Sequence, residues 1–402
     1  MKLCIALDVS KGSSHFQSFK GLDEPISKVN YIEHTVDGFD TILNEIKRIK
    51  NEYNDIPMVL FESTGIYHFP LKAFLDEYNL NYIIISPLLS AKVRKSDIRG
   101  VKTDIKDCAS IASVYYIKKL IVHRKYENLY DILREKSRYY DYLSNNLKKW
   151  KVEFRRLLDI VFPRLDEEFE NIYTDYMLNV LLKYSHPELI KATPSDELLK
   201  YLLDKTNHRP SFCLRQIERL KEYCLNFRSG CESNSFYVRQ LKRIVFILQK
   251  EIIDKDEAML ELVKDASKHP NYECIRSIPG ISDNLGSRIL AEIGDITRFS
   301  NYKKIIAYAG IDPMIYQSGE RKGEHLNISK KGNKKLRYLL FIAVVSMVKT
   351  NRETPIVDFF FKKRSQGLKN KEALVASMNK LLRLIYCLCK NGMIYKKIIF
   401  EI

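Results

Sequence analysis

Apolar and polar positions follow two rhythms along this chain. Leu3–Ala6, Phe16–Phe19 and Val29–Val36 are short apolar-rich runs separated by turn residues, the clearest being Lys11, Gly12, Ser13 and Ser14. They predict three successive strands. After Asp37 and Gly38 the period lengthens: Phe39, Ile42, Leu43, Ile46 and Ile49 fall on one face of a helix. Strand Met58–Phe61, helix Pro70–Tyr78, strand Tyr82–Ile85 and a helix opening at Thr103 complete the segment, with the Thr103 hydroxyl as its expected cap.

Beyond residue 120 the strand rhythm disappears. Tyr126 to Leu158 predicts a helix that holds the only tryptophan, Trp150. Pro163 to Pro210 predicts a small helical insert, with Thr193, Pro194 and Ser195 opening one helix. From Leu241, the positions Val245, Leu248, Ile252, Met259, Leu262 and Ala266 keep a four-three spacing interrupted only by Lys255. That spacing predicts a coiled-coil arm, or equally a long helix packed on its own domain. Ile275 to Gly294 has the spacing of a helix-hairpin-helix, in which Gly280 permits the tight turn and backbone N–H groups at the next helix start can meet a DNA phosphate. A plain helical turn is the alternative. A last helix is expected from Lys371 to Cys389, apolar at Leu374, Met378, Leu381, Leu382 and Ile385. The resulting division is 1–120, 121–270 and 271–402, with spacing and assembly as the expected task of the helical middle.

Composition narrows the partners. A chain of 402 residues, 45% hydrophobic and 29% charged, is long enough for two or three globular domains and too apolar to be disordered. Lys and Arg number 67 against 50 Asp and Glu, a net charge of +17. A surplus of that size points to a polyanion, because each neutralised phosphate releases condensed counterions. The eight cysteines form no Cys-x-x-Cys pair and lie mostly among apolar neighbours, which reads as reduced thiols rather than a zinc site or a disulfide frame. The apolar run after Met1 meets Asp8 at once, so no signal peptide is expected. The longest apolar stretch, Leu339 to Val348, is about half a membrane span, and a cytoplasmic protein is expected.

Four acids carry the candidate chemistry. Asp8 ends the first apolar run and Glu62 the run from Met58, while Asp104 and Asp107 lie one helical turn apart. Three strands, a helix, a strand, a helix and a strand is the order of the ribonuclease-H-like α/β fold. There the first strand and the strand after the first helix each supply an acid. Singly these residues read as caps or surface acids. Together they make a set of hard oxygen ligands for Mg²⁺, with Mn²⁺ as an alternative, and such an ion carries the charge that develops in phosphoryl transfer. Lys102 beside the pair is placed to hold a phosphate. Ser318 stands before Gly319 in a basic segment with Arg321, Lys322, Lys330, Lys331, Lys334, Lys335 and Arg337, a phosphate-contacting surface. No histidine neighbours Ser318, since His325 is seven residues away, so its activation as a nucleophile needs the metal site or groups brought near by the fold. His68 reads as packing near Glu62. The chemistry points to DNA strand cleavage and rejoining. A metal-dependent nuclease or junction resolvase using activated water, and a non-catalytic nucleic-acid-binding protein, are the rivals.

Several motifs together resemble the insertion sequence 110 transposases, DEDD recombinases related to the Piv DNA invertases. In the first part they are Ala6 to Ser10 around Asp8, Glu62 to Tyr67, Ser86 with Pro87, and Lys102 to Cys108. In the last part they are Ile278 to Ile281, Phe299, Ala307 to Pro313, Gln317 to Gly319, and Ile328 to Arg337. Cys108 replaces the usual alanine, and Ser86 the usual asparagine before proline. The resemblance implies a RuvC-type N-terminal domain, a helical coiled-coil linker and a mainly helical C-terminal transposase domain. It implies Mg²⁺ on Asp8, Glu62, Asp104 and Asp107, and a phosphoserine link to DNA through Ser318, with Ser329 as a second serine in a family motif. It further implies a noncoding bridge RNA that selects target and donor DNA, and a homo-oligomer, dimer or tetramer, joined through the coiled coil.

Overall fold

The computed structural model describes residues 2–63, 65–85, 90, 104–117, 128–313, 317–318, 321–322 and 328–396, with the backbone alone at 104–106, 128, 317–318 and 321–322. The chain divides into two compact units, Met1–Leu129 and Tyr130–Ile402.

The first unit is built on one mixed sheet. Strands β1 (Cys4–Ser10) and β2 (Ser13–Gly21) form an antiparallel hairpin, closed by a turn in which Gly12 takes φ +73°. Two short strands, β3 (Glu24–Pro25) and β4 (Asn30–Glu33), both pair with β2. Helix α1 (Val36–Tyr53) follows, its Thr35 hydroxyl accepting from the Gly38 N–H at 3.2 Å and its end turned by Asn54 at φ +54°. Strand β5 (Met58–Glu62), helix α2 (Phe69–Glu77), strand β6 (Tyr82–Ile85) and helix α3 (Asp104–Ile117) complete the unit. The order across the sheet is β3-β2-β1-β5-β6, with β1, β5 and β6 parallel. The third run expected from the sequence, Val29–Val36, is shorter in the structure because Thr35 caps a helix that already includes Val36.

Period-two alternation gives this sheet two apolar faces. Ile5, Leu7, Val9, Phe16, Val59 and Phe61 pack with Ile42, Ile46 and Ile49 of α1 and Leu71 and Leu75 of α2. Cys4, Ala6, Phe19, Leu60, Ile83 and Ile85 pack with Cys108, Ile111 and Ala112 of α3. The sheet is therefore covered on both sides, as its parallel strands require.

In the second unit two long helices, α4 (Asn128–Val161) and, after the insert, one at Phe236–Ala266, each contribute to two apolar clusters. Between them in sequence lie α5 (Leu165–Glu168), α6 (Asp175–Lys183), α7 (Pro187–Ala192), α8 (Ser195–Lys205) and α9 (Pro210–Asn226), which makes the long Phe236–Ala266 helix α10. The insert packs on Phe154 to Val161 of α4 and Val238 to Leu248 of α10. At the other end Leu133, Leu262 and Ala266 join the C-terminal helices, and Lys136 Nζ meets Asp265 at 2.7 Å and Glu261 at 3.3 Å. The two helices thus run antiparallel, and the apolar seam read from the sequence closes partly on α4 of the same chain. Ile252 and Met259, midway along that seam, are half-buried.

The C-terminal cluster gathers α11 (Pro270–Arg276), α12 (Asp283–Ile293), α13 (Tyr302–Ala309), α14 (Lys334–Lys349), α15 (Pro355–Ser365) and α16 (Asn370–Asn391). A two-stranded ribbon, β7 (Gln317–Ser318) and β8 (Arg321–Lys322), pairs Gln317 with Lys322 and Ser318 with Arg321. Six cysteines are buried, while Cys231 is half-buried and Cys387 exposed. Among the described residues no helix is long and apolar enough to cross a membrane.

Candidate active site

Strand register brings two of the four expected acids to one face, and the helix that bears the other two covers that face. Leu7 pairs with Phe61 across the parallel β1–β5 ladder, so Asp8 and Glu62 are the next residues on each strand, one pleat beyond Ala6 and Leu60 on the α3 side. Helix α3 covers that side through Cys108, Ile111 and Ala112, and the Cys108 thiol donates to the His15 carbonyl at 3.4 Å. Asp107 precedes Cys108 and is 3% exposed; Glu62 is 7% exposed and Asp8 half-buried. Asp104 opens α3 one turn before Asp107, with only its backbone described. Lys102 and Ser86 lie outside the described residues.

Carboxylate oxygens are the donors that a hard divalent cation takes, so the residue types fit such an ion. Among the described residues, however, no three His, Cys, Asp or Glu side chains are grouped closely enough to hold a metal. His68 is buried in aromatic packing, its ring 6.1 Å from Phe61 and 4.9 Å from Phe69.

The basic segment of the second unit is held by a different set of contacts. Gly310 ends α13 at φ +65° and Gly332 crosses it so closely that a Cβ on Gly332 would stand 2.4 Å from the Tyr308 carbonyl oxygen. Asn333 then caps α14, its Oδ1 accepting from the Lys335 and Leu336 N–H groups at 3.0 Å each. Its amide donates to Glu292 Oε2 at 2.7 Å and to the Tyr308 hydroxyl at 3.1 Å. Glu292 is 1% exposed, so this network pins the segment to the C-terminal core.

The cations divide by partner. Lys330, with φ +53°, Lys331 and Lys334 are exposed. Lys335 pairs with Asp141, which also takes Arg288, and Arg337 donates to the Ala309 carbonyl at 2.8 Å. These last two are committed within the chain. For Arg321, Lys322 and Ser318 only the ribbon backbone is described.

Below the ribbon, Pro313 bridges Ile328, the Ser329 N–H donates to the Asp312 carbonyl at 2.9 Å, and the Ser329 hydroxyl donates to Asp312 Oδ1 at 2.6 Å. Ser329 thus already has a carboxylate partner at the base of the segment that carries Ser318. Nothing in the local sequence pairs Ser329 with Asp312, whereas Asn333, an Asn directly before a helical run, carries a cap signal.

The hairpin between α11 and α12 has Gly280 at φ +92°, where a Cβ would lie 2.7 Å from Met347 Cγ. Ser282 caps α12, accepting from Leu285 N–H at 3.3 Å. Asp283 at the helix start accepts from Arg276 at 2.6 Å and from the Tyr272 hydroxyl at 2.7 Å, and Arg276 holds its carboxyl below the usual range. The helix start expected to meet phosphate therefore already carries a negative charge.

Comparison with known proteins follows the same two parts. A transposase family model named for its DEDD acids matches residues 5–163, which include Asp8, Glu62, Asp104 and Asp107. The model described as the Transposase IS116/IS110/IS902 family matches residues 272–356, which include the hairpin, Ser318 and the basic segment. Both models describe transposases, one matching the first part of the chain and the other the hairpin and basic segment. The chain belongs to the IS116/IS110/IS902 transposase family. It is 23% identical to the insertion element IS116 uncharacterized 44.8 kDa protein of Streptomyces clavuligerus, over 60% of this chain and 59% of that one. It is 28% identical to the pilin gene-inverting protein of Moraxella lacunata over 47% of this chain and 59% of that one. It is 27% identical to the transposase for insertion sequence element IS1111A of Coxiella burnetii over 39% of this chain and 44% of that one. The matched region spans about 59% of the length of the first of these relatives.

Proposed function

We propose that this protein is an insertion-sequence transposase that cuts and rejoins DNA through a serine. The observation that supports the reading is that Asp8 and Glu62 end adjacent parallel strands on the sheet face covered by α3, the helix that carries Asp104 and buried Asp107. The strand order β3-β2-β1-β5-β6 supports a RuvC-type assignment for 1–120. In this reading Asp8, Glu62, Asp104 and Asp107 hold Mg²⁺, or Mn²⁺ in its place. The ion supplies charge stabilisation at the phosphate undergoing transfer.

Ser318 forms an ester to the 5′-phosphate as the bond to the 3′ oxygen breaks, and that oxygen takes a proton and leaves as a hydroxyl. Attack by another 3′ hydroxyl reverses the step and rejoins the strands. Lys102, Arg321, Lys322 and the exposed Lys330, Lys331 and Lys334 serve as phosphate contacts, with Lys335 and Arg337 shaping the segment behind them and Gly280 shaping the hairpin. The net charge of +17 is in keeping with two nucleic-acid partners, DNA and a noncoding bridge RNA.

Residues 121–270 take the role of spacing and assembly, and 271–402 that of the serine-bearing part. Phe246, Ile253 and Leu260, 61%, 56% and 70% exposed, repeat every seventh residue along α10, which supports a homo-oligomer, dimer or tetramer, joined along this helix. A cytoplasmic location agrees with a DNA substrate.

The test is covalent trapping: the full chain, with RNA transcribed from the DNA flanking its gene, is incubated with nicked element-end DNA and Mg²⁺ and run on a denaturing gel. The expected result is a protein–DNA adduct that is absent in Ser318→Ala and in Asp104→Ala. Cleavage without an adduct, persisting in Ser318→Ala, would overturn the serine mechanism and leave a nuclease that uses water.

A further inference from the structure

The acid face continues beyond Asp8. In the β1–β2 hairpin Asp8 pairs with His15, and in the β2–β4 ladder His15 pairs with Tyr31. Residues paired across a sheet point to the same face with their Cβ atoms about 5 Å apart, so Asp8, His15 and Tyr31 form one row across three strands, on the side covered by α3. The His15 and Tyr31 rings are in contact, with centroids 5.3 Å apart and planes tilted by 58°. His15 is half-buried, and Cys108 of α3, the neighbour of Asp107, touches its carbonyl.

Tyr31 is 57% exposed on a four-residue strand. The Tyr31 ring is thus fixed in direction by strand pairing and by His15 on one side while its remaining surface faces solvent. Lys11, in the turn joining β1 to β2, and Lys28, shortly before β4, are exposed as well.

We propose that His15 and Tyr31 form a nucleotide subsite for the DNA strand that carries the scissile phosphate. The Tyr31 ring stacks on an unpaired base next to the cleavage point, and the His15 imidazole, between the ring and Asp8, donates an N–H to the phosphate joining that nucleotide to the reacting one. The chemistry follows from the order of the row. A base offers a π face that an exposed aromatic ring matches without regard to sequence, and the strand leaving the acids along this row meets His15 first and Tyr31 second. An unpaired base is specified because both faces of a base within a duplex are already stacked. This inference rests on the acids acting on DNA.

Its test uses the full chain and element-end DNA in which 2-aminopurine, whose emission is quenched on stacking, replaces in turn each base flanking the cleavage point. In an Asp8→Asn background, which holds substrate uncut, quenching is expected at one flanking position. It persists in Tyr31→Phe and is lost in Tyr31→Ala. In the otherwise native enzyme Tyr31→Ala is expected to raise KM roughly tenfold or more, as loss of one base–aromatic stack does. His15→Ala raises KM too, and His15→Gln, which keeps an N–H donor, restores part of the loss. Unchanged quenching and KM in Tyr31→Ala would overturn the subsite. Quenching with an RNA strand of the same sequence and none with DNA would overturn the assignment to DNA. Cleavage that survives Asp8→Asn would instead sink the acid-site reading, and the 2-aminopurine emission would still decide whether a base sits on the Tyr31 ring.

Discussion

Replacing Ser329 by Ala separates the two candidate serines. The Ser329 hydroxyl donates to Asp312 Oδ1 at 2.6 Å and accepts from the Lys331 N–H at 3.4 Å, with both side chains half-buried. Hydrogen bonds to a charged partner contribute about 1.5–3 kcal/mol, and partial solvent access brings this one to about 1–2 kcal/mol. The backbone bonds from Ser329 to Asp312 and from Lys330 to Gly310, and the Pro313–Ile328 bridge, do not need the hydroxyl. Ser329→Ala should therefore fold, with a Tm lowered by a few degrees, and still form the covalent adduct. If the whole loss is felt in presenting Ser318, adduct formation slows about five- to thirtyfold. Ser329→Thr, which keeps the hydroxyl, should recover most of both. Thermal unfolding and the rate of adduct formation, followed by mass mapping of the DNA-linked peptide, measure this. A Ser329→Ala protein of unchanged Tm that forms no adduct, together with a linked peptide containing residue 329 in the parent, would refute the clamp and make Ser329 the nucleophile.

Three further outcomes test the second unit. Gly332→Ala places a Cβ 2.4 Å from the Tyr308 oxygen, 2.6 Å from the Gly310 nitrogen and 2.9 Å from the Ala307 oxygen, all backbone, so a loss of about 3 kcal/mol is expected by chemical denaturation. Gly286→Ala in α12 meets nothing nearer than 3.6 Å and should be neutral or stabilising by under about 1 kcal/mol. Burial holds the His269 pKa below its ordinary value, while Nδ1 accepts from the Asn271 N–H at 3.1 Å and Nε2 meets the Tyr130 hydroxyl. The unfolded chain then takes a proton near pH 6.5 before the folded one does. Stability should fall as pH drops below that value, and His269→Gln should flatten the slope in denaturant titrations between pH 5 and 7.

The acid face was legible because the period-two runs and the acids share positions. Asp8 and Glu62 each follow an alternation that assigns a face, and the strand and helix order assigns neighbours. Asp107 was legible through its spacing from Asp104 on a helix whose apolar residues turn to the same sheet. The place of β4 was not legible. Val29–Val36 reads as a strand, but nothing local says that it pairs with the first half of β2, and that pairing sets Tyr31 beside His15. The heptad seam of α10 shows the same limit: spacing declares that an apolar stripe needs cover without saying whose residues supply it, and α4 of the same chain supplies part.

The basic segment shows why counting charges overstates a binding surface. Seven cations between Arg321 and Arg337 read alike in sequence, yet Lys335 answers Asp141 and Arg337 answers the Ala309 carbonyl. Those partners come from α4 and from the end of α13, far away in sequence, so no local pattern predicts them. What distinguishes the cations left to solvent is the backbone beneath them. Asn333 takes the free N–H groups of α14 for itself and ties its amide to buried Glu292, while Gly332 brings two chain segments within backbone contact. Lys330, Lys331 and Lys334 therefore stand over a closely packed, hydrogen-bonded backbone, and in the proposed reading a phosphate they meet is met at a fixed place. If the segment positions a strand for in-line attack, as proposed, that placement is set by an asparagine and a glycine rather than by the lysines themselves.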